Sequence, residues 1–260
     1  YHFTEEMMGK KLIITTLAVM LAAIAVTVIP FGCGYDGYIT SADAETGEYY
    51  LLGRESGGKD LSLILPNGIE GHTYDIAEKA FESDMGIGKL TIGNGVRKIG
   101  AEAFRSCIYM KKLTFKDGVT EIGDSAFASC FLIEEVKLPS SLEVIGDNVF
   151  MQCSNIERAV LPEGLKSIGS GMFYACFRLA DMTLPDDLTE IPDDMFYGCT
   201  DLEELTIPRS VMKIGNNAFG EEIEDHPLTI KYEGTEAEWN AVAIGDGNER
   251  IDEGTVEFAG

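Results

Sequence analysis

Phe127-Ala128-Ser129-Cys130-Phe131-Leu132-Ile133-Glu134-Glu135-Val136-Lys137-Leu138-Pro139-Ser140-Ser141-Leu142-Glu143-Val144-Ile145-Gly146-Asp147-Asn148-Val149, with Phe150 after it, is one full period of this chain. A step of 23 residues in either direction lands on the same residue types. Phe81, Phe104, Phe127, Phe150, Phe173, Phe196 and Phe219 keep that step, and so do Ile76, Ile99, Ile122, Ile145, Ile168, Ile191 and Ile214. Cys107, Cys130, Cys153, Cys176 and Cys199 form a third column. Gly100, Gly123, Gly146, Gly169 and Gly215 form a fourth, with Pro192 in the remaining place. Chance does not align four columns in this way, and a fixed period of this length marks a solenoid.

The period has a physical reading. Ile133-x-x-Val136-x-Leu138 alternates apolar and polar residues, which predicts a short strand with one buried face. Pro139 has no N–H for a ladder bond and ends that strand. A second apolar pair, Leu142 and Ile145, leads to Gly146, read here as a residue that lets the chain turn freely. Asp147-Asn148-Val149-Phe150 predicts a helical turn with an Asp or Asn cap and an inward Phe, and a Cys closes the coil. One unit cannot bury its own apolar side, whereas stacked units can. At about 4.8 Å per strand, some seven coils make a rod or arc roughly 30 Å long. The fold class is therefore an α/β-type repeat solenoid of short strands, turns and short helical or 3-10 segments, capped at both ends.

Departures from the period set the boundaries. Residues 1–33 are read as a signal or anchor segment: Lys10-Lys11 precede the uncharged run Leu12 to Ile29, whose roughly 27 Å as a helix would suit export or anchoring. Gly32-Cys33 after that run resembles a bacterial lipobox, with Cys33 as the lipidation candidate, although Pro30 and Phe31 depart from the preferred residues. Lipidation of Cys33, cleavage near Gly34 and retention of the segment are alternatives, and each leaves the rest of the chain outside the cytoplasm. Residues 34–60 are expected to form an N-terminal β cap, residues 61–219 the solenoid, and residues 220–260 a C-terminal cap. An insertion is expected around Gly68 to Tyr74, a closing strand at Leu228 to Tyr232, and a short helix carrying Trp239 within 235–243.

The L-x-x-L-x-L-P strand, the I-G turn, the A-F pairs Ala103-Phe104, Ala126-Phe127 and Ala218-Phe219, and the C-x-x-L endings Cys176 to Leu179 and Cys199 to Leu202 resemble the BspA-like leucine-rich repeat. Tyr232 to Ala241 is similar to a closing segment that recurs in that family. The resemblance covers about residues 61–245 and implies an exported, non-enzymatic binding or adhesion module of the bacterial surface.

The 260 residues carry a net charge of −24, with 45% apolar and 9% aromatic residues. This excludes wholesale disorder. It argues against non-specific nucleic-acid binding and against docking of the whole chain on anionic lipid, so membrane contact is expected only through the N-terminal segment or its lipid. The acidity is concentrated at the ends: residues 33–87 net −8 and residues 220–260 net −10, while residues 88–219 net only −6. Coil 88–110 is +3, and coil 180–202 has seven acids and no base.

Candidate chemistry is sparse, and neither a cofactor nor a metal site is expected. His72 and His226 lie at opposite ends of the array, and His2 precedes the apolar run. The repeat cysteines are expected to be free, because parallel side chains on stacked coils keep Cβ atoms near 4.8 Å rather than the roughly 3.8 Å of a disulfide. Asp186-Asp187 and Asp193-Asp194 could serve as paired carboxylates of a glycosidase or as calcium ligands, but read better as turn surface. The exposed strand face is the better candidate. Its outward columns run Lys89, Lys112, Glu135, Arg158, Asp181, Glu204 and Thr91, Thr114, Lys137, Val160, Thr183, Thr206. Lys89, Lys112, Lys137, Arg158, Asp181 and Glu204 are the expected binding residues, and no aromatic residue stands in either column. The expected function is binding of an extracellular protein or glycan, with an envelope spacer as the alternative and a carbohydrate-active enzyme behind both.

Overall fold

A computed structural model gives the architecture and describes residues 24–29, 38–43, 48–54, 62–220, 227–252 and 254–259. Cys33, His2, His226 and most of the expected signal segment lie outside the described residues. Ile24–Ile29 of the apolar run is a strand, β1, antiparallel to β2 (Tyr38–Asp43), which is antiparallel to β3 (Tyr49–Arg54). These strands form an N-terminal β cap. It joins the solenoid through the parallel pairing of β3 with β5 (Tyr74–Ile76).

Each coil then contributes two short strands. The first set is β4 (Ser62–Ile64), β6 (Lys89–Ile92), β8 (Lys112–Phe115), β10 (Glu135–Lys137), β12 (Arg158–Val160), β14 (Asp181–Thr183), β16 (Glu204–Ile207), β18 (Thr229–Tyr232) and β20 (Thr255–Phe258). They pair in parallel as the groups β4-β6-β8, β10-β12-β14 and β16-β18-β20. The second set is β5, β7 (Val96–Ile99), β9 (Glu121–Ile122), β11 (Val144–Ile145), β13 (Ser167–Ile168), β15 (Glu190–Ile191), β17 (Lys213–Ile214) and β19 (Ala243–Ile244). Register holds at one repeat, as in Val136↔Ala159↔Met182 and Ile122↔Ile145↔Ile168.

The third side of each coil differs from the helical turn that Asp147-Asn148-Val149-Phe150 predicts. The residues two before and two after each Phe from Phe81 to Phe196 have left-handed backbone, as at Ser125 (φ 55°) and Ser129 (φ 59°) or Asn148 (φ 58°) and Gln152 (φ 62°). That alternation aims three N–H groups per coil at the next coil. Ser125, Phe127 and Ser129 donate to the carbonyls of Asp147, Val149 and Met151, and Asn148, Phe150 and Gln152 to those of Ser170, Met172 and Tyr174. The result is a run of turns in which alternate amides bond along the chain, as Ala128 does to the Ser125 carbonyl, and the others bond to the next coil. Asp147 is no helix cap either: its Oδ1 accepts the Ser170 amide at 2.8 Å, as Asp124 accepts that of Asp147 and Asp193 that of Asn216.

The core consists of columns. The seven phenylalanines stack face to face, with centroids 5.0–6.0 Å apart and ring planes within 2–19° of parallel. The five cysteines are buried and free, and each donates its S–H to the carbonyl of the Phe 26 residues earlier. Burial pushes the Cys153 and Cys199 thiols up to about 12 and raises that of Cys176, so these groups stay protonated and inert at neutral pH.

The glycine column has a different cause from the one expected. Gly146 is absent from the residues with positive φ. Its hydrogens face the preceding coil, and a Cβ there would stand 2.3 Å from Asp124 Oδ1 and 2.7 Å from the Asp124 backbone nitrogen. Close approach of coils, not turning freedom, requires glycine here.

The ends follow the expected departures. The insertion after β4 is a tight hairpin closed by the Ile69–His72 bridge, and His72 stacks on Tyr49 at 4.7 Å. At the other end, α1 (Glu236–Trp239) starts with a Thr235–Glu238 capping box and buries Trp239 against Tyr232. Next to α2 (Glu249–Asp252), Asn248 takes the Phe219 amide, and the buried Arg250 donates to the carbonyls of Cys199 and Leu202, groups that a further coil would otherwise satisfy.

Two substitutions separate the causes of glycine use. Gly146→Ala must displace the Asp124 backbone and is expected to destabilise the chain by about 1–3 kcal/mol in urea unfolding. Gly164→Ala has nothing within 4 Å of the new Cβ and only its φ of +79° to bear, so it should cost less, about 1 kcal/mol. Equal losses would contradict the role given to Gly146.

Candidate binding face

The outward residues of β6 to β16 lie where the sequence columns put them. Lys89 is across from Lys112, and Glu135, Arg158 and Asp181 stand in line on three neighbouring strands. Alternation along each strand buries Leu90, Leu113, Val136, Ala159, Met182 and Leu205 and exposes the charged residue before each.

The expected binding residues divide into two groups. Arg158 Nε meets Asp181 Oδ2 at 2.8 Å, and Glu204 holds Lys231 Nζ at 2.6 Å. The charges at the C-terminal part of the face therefore satisfy one another across strands. Lys89, Lys112 and Lys137 have no such partner, and the structure adds Lys111 and Lys116 beside them, which the column reading missed because neither stands in an outward column. Among the described residues, every other Lys or Arg is ion-paired with a carboxylate or, for Arg250, bound to carbonyls. All five unpaired lysines are exposed and belong to β6, β8, β10 or the residues adjoining them.

An apolar ridge borders these lysines. Met85, Tyr109 and Phe131 are 64%, 53% and 41% exposed and lie on the turns that enter β6, β8 and β10. The ridge reappears at Phe177, 50% exposed. Part of the signal was present in the sequence directly after the cysteines, at Phe131 and Phe177, with Ser154 between them in that column and Tyr109 one place further on. It was missed because it lies just outside the strand.

The opposite end of the face carries a cavity of about 510 Å³ between β14 and β16, lined by Asp181, Asp186, Glu204 and Glu233 together with Met182 and Pro208. Of the remaining acids of this coil, Asp187 accepts the Gly164 amide, Asp193 accepts that of Asn216, and Glu190 pairs with Lys213. Among the described residues no three His, Cys, Asp or Glu side chains converge as metal ligands.

The BspA-type leucine-rich repeat model matches residues 74–201 and 166–235 in six copies. The chain belongs to the BspA-type leucine-rich repeat family. The T. pallidum leucine-rich repeat protein TpLRR is 30% identical to it, with a TM-score of 0.65 over 74% of this chain and 88% of that one. A leucine-rich repeat protein of Bacteroides ovatus, 22% identical over 83% of this chain and 67% of that one, has a TM-score of 0.54 and shares the fold. No curated protein matches. Within this chain's period, the residues that recur are those that build the coil, and the outward charged residues differ from coil to coil.

Ion pairing gives the lysines of this array different reactivity. The carboxylates of Glu121, Glu190 and Glu204 raise the pKa of Lys98, Lys213 and Lys231. Since the neutral amine is the nucleophile, limited acetylation in mild base should label Lys89, Lys111, Lys112, Lys116 and Lys137 before those three. Uniform labelling, read by peptide mass mapping, would contradict the division.

Proposed function

We propose that this BspA-type leucine-rich repeat protein is exported, is held at the membrane by its N-terminal segment or a lipid on Cys33, and binds a protein or glycan outside the cell through the β6–β16 face. The observation that carries this reading is the stack of parallel strand groups from β6 to β16, whose inward residues are buried in the core and whose outward charged residues are exposed. The mixed charge along that face favours selectivity and encounter rate over raw affinity. The reading is non-enzymatic, supported by the structural use of Asp187 and Asp193 as amide acceptors. Export rests on Lys10-Lys11 and the apolar run Leu12 to Ile29. No helix among the described residues is long and apolar enough to cross a membrane.

Reversing the charges of Lys112, Arg158, Asp181 and Glu204 together is expected to abolish capture of a partner identified by pull-down with the wild-type chain from extracellular proteins. All four side chains are exposed, so the fold should survive, as circular dichroism would verify. Undiminished capture would move the site off this face.

A further inference from the structure

The distribution of unpaired charge is the least expected feature of the molecule. A chain with a net charge of −24 has more than two acids for each base, and 12 of the 17 bases among the described residues are paired with carboxylates or carbonyls. The exceptions among the described residues are gathered on three successive coils of one face: Lys89, Lys111, Lys112, Lys116 and Lys137. Lys89 and Lys112 stand directly across a parallel pair, a like-charge contact that costs stability unless an anion relieves it. Glu134 and Glu135 lie inside the cluster, on the same coil as Lys137, and separate Lys137 from Lys111 and Lys112.

The apolar ridge is the second half of the pattern. Met85 lies four residues before Lys89, Tyr109 three before Lys112, and Phe131 six before Lys137. At about 3.3 Å per residue these side chains lie within some 10–20 Å of the lysine on their own coil. One ligand can therefore touch both rows. Burying Met85, Tyr109 and Phe131 is favourable only if the ligand brings apolar groups of its own.

We infer that Lys89, Lys111, Lys112, Lys116 and Lys137, with Met85, Tyr109 and Phe131, form the docking surface for an acidic polypeptide segment that carries apolar side chains among its carboxylates. The inference rests on the binding role proposed above and names its partner class. Two other anionic classes fit less well. A polyanionic glycan would neutralise the lysines but leave the ridge wet. An anionic bilayer could use both rows, but its extended negative surface repels a chain of net charge −24, whereas a short peptide carries far less charge.

The test uses the full chain and a fluorescein-labelled synthetic peptide of Glu and Asp alternating with Leu and Tyr. Its controls are the same peptide with Ser at every Leu and Tyr, heparin, and phosphatidylserine vesicles. Anisotropy should show the Leu/Tyr peptide binding more tightly than all three controls, with affinity falling as salt rises. The triple variant Lys89→Gln, Lys111→Gln, Lys112→Gln should weaken binding about tenfold. The pair Met85→Ser, Phe131→Ser should also weaken it, while the pair Lys166→Gln, Lys213→Gln, taken from ion pairs on β13 and β17 or next to them, should leave it unchanged. Equal affinity of the triple lysine variant, equal binding of the Ser peptide, or tighter binding to heparin or vesicles would overturn the inference. If the peptide does not bind but charge reversal of the whole face still abolishes partner capture, the inference fails alone. If capture also survives the reversal, the binding role of the face fails with it.

Discussion

A coil of this chain cannot satisfy its own backbone. On each of its three sides there are amides and carbonyls that point along the solenoid axis and find their partners one coil away. The strands do this in the ordinary parallel manner, while the Phe side uses left-handed residues such as Ser125 and Ser129 to aim N–H groups at the next coil. An unpaired buried amide or carbonyl costs about as much as a lost hydrogen bond. Every residue that controls coil spacing is therefore constrained at once. Gly146 must lack a Cβ, Asp147 must accept the Ser170 amide, Cys153 must fit beneath the Phe127 carbonyl, and the phenylalanines must stack. The stack also needs ends. Arg250 and Asn248 supply donors where no further coil does, and the β1–β3 hairpins close the other side.

The same constraint decides where function can reside. Inward positions are committed to columns, and turn positions to bonds between coils. Outward strand side chains are not part of the core and meet solvent or one another in ion pairs between coils. On this face the later coils neutralise themselves through Arg158–Asp181 and Lys231–Glu204, whereas the earlier coils keep their lysines unpaired beside exposed Met85, Tyr109 and Phe131. The net charge of −24 therefore conceals a local basic surface.

Much of this was legible in the residues. The period is enough to set the coil, the strand register and the column of inward residues, and alternation is enough to place Lys89 to Glu204 outward. The free thiols followed from parallel Cβ spacing. What was not legible depended on distances between coils. Glycine at Gly146 looks alike whether it serves a turn or a close approach, and Asp147-Asn148 looks alike as a helix cap or as a ladder acceptor. Which charges pair is also a matter of reach: Arg158 finds Asp181 in the next coil, while Lys112, equally close in sequence to charged neighbours, finds none. The apolar ridge escaped notice because Phe131 and Phe177 sit beside the strand rather than in it.

Native-state hydrogen exchange read residue by residue tests the dependence on bonds between coils most directly. The amides of Phe127, Phe150 and Phe173 donate to Val149, Met172 and Met195, one repeat on, although they lie in turns outside every strand. If the stack is the governing constraint, these three should exchange only with cooperative unfolding of the array, at the same free energy as the buried strand amides. Rapid exchange at the Phe positions alongside protected strands would show that the Phe side is not held by its neighbours, and would contradict the account.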